Sequence, residues 1–79
     1  MEEKYILIEV YGNEVICNCP YLNLDEAKNT LKASLLDSFI TNKDTIEYGK
    51  NCILSDGETS AWAFINGKDR VWSIVKVPR

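Results

Sequence analysis

A chain of 79 residues, 46% apolar and 27% charged, is expected to form one small globular domain (1–79), with no room for a second core. Its net charge of −3 and pI of about 4.8 argue against nucleic acid or an anionic membrane as partner, because both call for a basic surface. The apolar run over residues 5–8 is too short for a signal peptide or a bilayer span, and three cysteines are an odd number for a disulfide framework. The expectation is a cytoplasmic protein with reduced thiols.

Residues 4–11 alternate as a strand, with Ile6, Ile8 and Val10 on one face and Tyr5, Leu7, Glu9 and Tyr11 on the other. Gly12-Asn13 signals a two-residue turn, and Glu14 to Cys17 or Asn18 returns as a second strand. Pro20 lacks a backbone donor, so pairing is expected to end near Cys19.

A helix is predicted to open at Asn23. Asn23 is a good N-cap, and Glu26 three residues on completes a capping-box pattern. Leu24, Ala27, Leu31, Leu35 and Phe39 follow the spacing of a buried stripe, which Leu36 and Ile40 are expected to widen. Asn42 is the candidate left-handed cap. Residues 45–49 read as a loop or a single turn, and residues 50–55 as a third strand.

Residues 60–77 read as a hairpin around Asn66-Gly67. Pairing Ile65 with Lys68, or with Arg70, sorts the side chains identically. One face carries Trp62, Phe64, Val71, Ser73, Val75 and Val77. The other carries Ala61, Ala63, Ile65, Arg70, Trp72, Ile74 and Lys76. The predicted order is therefore β-β-α-β-β-β, an α+β fold with a mostly antiparallel sheet and one helix on one face.

With Ser60-Ala61-Trp62, the Asn-Gly turn and the closing Trp72-Ser73-Ile74-Val75-Lys76-Val77, the C-terminal half resembles a group of short bacterial proteins that end in a Trp-x-Ile-x-x-Val strand. The resemblance covers residues 48–77 and departs from the group in a shorter turn between the last two strands. It implies a small cytoplasmic α+β domain and no particular activity.

The chemistry is sparse. The chain has no histidine, so Ser-His-Asp and Cys-His arrangements are impossible within it. There is no phosphate-binding glycine loop; each of the four glycines falls at a turn signal. Cys17 and Cys19 have chelating spacing, and Cys52 is the natural third ligand. A closed zinc site needs a fourth, so packed, metal-free thiols are the expectation. Asp25 and Glu26 are accounted for by capping, and Asp56 and Glu58 by a turn. Trp62 and Phe64 beside Lys68 and Arg70 are the only hint of base stacking. No cofactor is expected.

One helix covers one side of a sheet. The small Ala61 and Ala63, with Ile65, Trp72, Ile74, Ile6, Ile8 and Val10, are expected beneath it. Trp62, Phe64, Val71, Val75, Leu7 and Tyr5 are then left on an open apolar face. That predicts a non-catalytic protein-interaction module, a homodimer or a binder of another protein. The alternative is a small-ligand binder or minor enzyme with its site between sheet and helix.

Overall fold

The computed structural model describes residues 4–17 and 23–77. Five strands and one helix follow the predicted order: β1 (Tyr5–Tyr11), β2 (Glu14–Cys17), α1 (Leu24–Thr41), β3 (Cys52–Leu54), β4 (Ser60–Ile65) and β5 (Lys68–Lys76). The strands form one antiparallel sheet in the spatial order β2-β1-β5-β4-β3. The first and last strands thus pair at its centre, over seven residues from Tyr5↔Lys76 to Tyr11↔Arg70. The edges belong to the two shortest strands, which limits the backbone offered to stray pairing.

Local chemistry explains the turns. Ile65 pairs with Lys68 across a two-residue loop in which Asn66 and Gly67 both take positive φ, +54° and +76°. That is the primed geometry whose twist matches the strands it joins. Gly12 takes φ +61° in the β1–β2 turn. The loop before β3 is tied by one side chain: Asn51 accepts from the Glu47 amide at 2.8 Å and donates to the Thr45 carbonyl at 3.0 Å.

The helix starts as its sequence specifies. Asn23 Oδ1 accepts from the Glu26 amide at 2.8 Å, and Glu26 Oε1 accepts from the Asn23 amide at 3.2 Å, a complete capping box. Its end differs from expectation. Asn42 has φ −91°, and the left-handed residue is Lys43 at φ +55°. Lys43 N donates to the Ile40 carbonyl and Asp44 N to the Phe39 carbonyl, which is a Schellman termination displaced by one residue. Asn42 instead sends its side-chain amide to the Ser38 carbonyl at 2.8 Å.

The core lies between helix and sheet. Leu31, Leu35 and Phe39 of α1 meet Leu7, Cys52, Ala61, Ala63, Ile65 and Trp72 of the sheet, with Ile46, Leu54 and Ile74 packed around them. The alanines of β4 let the helix approach, as expected from their size. Leu36 and Ile40 do not widen the buried stripe; Ile40 is 72% exposed. A single helix lying on a twisted sheet buries one stripe, and these two residues sit beyond its edge.

The faces of β1 are the reverse of expectation. Leu7 pairs with Ile74 and Glu9 with Trp72, so Leu7 and Glu9 lie under the helix while Ile6, Ile8 and Val10 face away. Leu7 is fully buried. Glu9 makes its strand look solvent-facing on that side, but it is buried because Trp72 and Arg70 on the neighbouring strand require an acceptor there.

Candidate functional site

The face away from the helix is built by strand alternation and register. Ile53 pairs with Trp62, Trp62 with Val71, Val71 with Val10 and Val10 with Val15. These residues form one uninterrupted apolar row across all five strands. Directly opposed side chains on one face lie within contact distance, so the row is continuous. Phe64 flanks it on the turn side. On the other side lies the row Ser60, Ser73 and Ile8, followed by Val75 and Ile6. Val15, Ile53, Phe64, Val71 and Val75 are all exposed, and Trp62 is half-buried. In the loop before β3, Ile46 packs against the core.

Small side chains make a dent in this surface. A hollow of about 240 Å³ is lined by Ile53, Ser55, Ser60, Ala61, Trp62 and Val71. It is smaller than the roughly 300–1,000 Å³ typical of small-molecule sites and suits one anchoring side chain. Ser55 is held at its rim by the amides of Thr59 and Ser60, both 3.1 Å from its Oγ. Asp69 is the only charged strand residue on this face, and its Oδ1 accepts from Trp62 Nε1 at 3.3 Å.

Of the residues expected on the open face, Trp62, Phe64, Val71 and Val75 share it. Leu7 is in the core, and Tyr5 shares its side of the sheet, paired with Lys76. Ile53, Val10 and Val15 were missing from that set. Their alternation was legible, but which face of β1 and β3 joined Trp62 depended on cross-strand register.

Between sheet and helix, where the alternative expectation places a ligand site, lie the core cluster and a set of polar groups. These polar groups form a connected network, in which Arg70 Nε is buried without a hydrogen-bond partner. Glu9 Oε1 accepts from Ser34 Oγ and Trp72 Nε1, each at 2.7 Å, while Oε2 is paired with Arg70. The Arg70 guanidinium also stacks on the rings of Tyr11 and Trp72, 4.8 and 5.5 Å from their centroids. Burial pushes the Glu9 carboxyl up, but the bonds from Arg70, Ser34 and Trp72 and the Arg70 charge outweigh it and hold the group below its ordinary value. A carboxylate whose oxygens are taken up by three donors and whose pKa is lowered acts as a structural acceptor.

Cys52 is fully buried beneath the helix, and burial pushes its thiol up, away from the reactive thiolate. Cys19 and Pro20 lie outside the described residues. Cys17 and Cys52 belong to opposite edge strands, four spacings or about 19 Å apart. Cys52 is therefore not the third ligand of a site built on Cys17. Among the described residues no cluster of three metal-ligating side chains is present, and no helix is long and apolar enough to cross a membrane. No family model, curated protein or solved structure matches this chain.

Proposed function

We propose that this protein is a non-catalytic docking domain that binds protein through the open face of its sheet. The observation that carries the reading is the apolar row Ile53–Trp62–Val71–Val10–Val15, exposed opposite the helix and bordered by a socket of side-chain size. Contiguous exposed apolar surface on a small domain marks an interaction site. Aromatic anchors beside a small hollow are the usual hot-spot composition. The saturated Glu9 network and the buried Cys52 support a non-catalytic role, because each is committed to structure. A cytoplasmic location belongs to the same proposal, its support being a free, buried thiol that needs no oxidising compartment.

The test is site-specific photo-crosslinking. A photoreactive phenylalanine analogue at position 64 is expected to form an adduct with protein, itself or another, while the same group at Asp37 on the exposed side of the helix forms none. Absence of any adduct at 64, together with loss of more than about 2 kcal/mol of stability in Trp62→Lys/Phe64→Ser, would assign the face to the folded core instead.

A further inference from the structure

We infer that the occupant of this face is a second copy of the chain, packed sheet to sheet with its strands antiparallel to the first. The inference rests on the docking reading above and names its partner. Three observations converge on it: shape, charge and area.

The face is unequal along the strands. Toward the β4–β5 turn it is broad and aromatic, with Phe64, Trp62 and Ile53 across β4 and β3. Toward the other end β4 pairs no further than Ser60↔Ser73, so β5 runs on beside β1 alone. There the face narrows to Val75 and Ile6. A two-fold axis between the faces and across the strands sets the broad end of each copy over the narrow end of the other. An axis along the strands would instead set broad end over broad end and narrow end over narrow end. Isologous contacts require such self-complementarity.

Charge selects the same arrangement. The face carries Asp69 at its broad end. Lys4, bonded through its carbonyl to the Val77 amide, continues the alternation of Ile6 onto this face at the narrow end. The antiparallel pairing brings Asp69 of each copy toward Lys4 of the other; the parallel one brings like charges together. Between these ends the described strand residues on the face are uncharged.

The area bounds the strength. Strand spacing of about 4.8 Å and a rise of about 3.4 Å per residue give the face roughly 500 Å². A pair would bury about 1,000 Å², at the lower limit of specific interfaces. An interface of that size belongs to weak, reversible associations.

Sedimentation equilibrium of the full chain from about 5 to about 500 µM tests this. The expected result is a monomer–dimer equilibrium that Phe64→Asp weakens more than about tenfold, and Val75→Glu likewise if the first variant folds poorly. Lys4→Asp and Asp69→Lys should each weaken it by about two- to fivefold, and the double reversal should recover it. A double variant no tighter than the singles would overturn the antiparallel arrangement. A dimer indifferent to both Phe64→Asp and Val75→Glu would overturn the face as its interface. A strict monomer whose position-64 crosslinker captures a different protein would overturn self-pairing while leaving the docking reading intact. A strict monomer with no adduct would overturn both.

Discussion

Glu9 shows how much of this fold depends on a single polar residue. It is 7% exposed, and three donors from two elements converge on it. Removing one partner of such a set strands the others without water. Glu9→Gln is expected to destabilise the protein by about 2–3 kcal/mol at neutral pH, read from urea melts. Because the folded carboxyl titrates below the ordinary 4.5, its contribution is complete above that value and is lost as pH falls through the lower, folded value. The wild type should therefore lose more stability than Glu9→Gln between about pH 6 and about pH 3, and parallel curves would contradict the network. Cys52 gives a second check. A fully buried thiol with raised pKa should resist alkylation in the native state and react in urea, whereas prompt native labelling would mean that the core opens there.

At the scale of the element, the helix was the most legible part of the sequence, because capping and the apolar stripe are local signals. Asn23→Ala should cost about 1 kcal/mol, and Leu31→Ala or Leu35→Ala about 2–5 kcal/mol, since each leucine would leave a cavity beneath the sheet. A urea series ranking Asn23→Ala above both leucine variants would be inconsistent with this packing. At the other end Lys43 holds φ +55°, where a side chain is strained and glycine is not. Lys43→Gly is therefore expected to stabilise the protein by about 0.5–1 kcal/mol, and a loss of stability would argue against the Schellman end. Asn favours the left-handed region more than Lys does, so sequence preference points to Asn42, whereas the bonds to the Phe39 and Ile40 carbonyls put Lys43 there instead.

Across the whole molecule, two groups of exposed apolar side chains among the described residues bear on where a partner binds. One is the open sheet face; the other is the pair Leu36 and Ile40, one turn apart on the helix. They lie on opposite sides of the molecule, so a variant at one leaves the other untouched. Ile40→Lys is expected to leave sedimentation unchanged, while Phe64→Asp shifts it toward monomer. The reverse pattern would move the interface to the helix. The pairing of β1 with β5 ties the two ends of the described chain, so formation of the central ladder closes the longest loop in the fold.

Sequence patterns alone determine the element order, the capping box, the Asn66-Gly67 turn and the shared face of Trp62, Phe64, Val71 and Val75. All of these rest on residues close in the chain, where period, turn chemistry and parity act directly. Tertiary structure decided what joins strands distant in sequence. Both faces of β1 are rich in apolar side chains, so periodicity could not say whether Leu7 or Ile8 meets the helix. The decision came from Glu9, whose carboxylate satisfies the indole of Trp72 and the charge of Arg70, both more than 60 residues away. That choice sends Ile6, Ile8 and Val10 outward and completes the apolar row, which is why the extent of the docking face became visible only once the central ladder was in register.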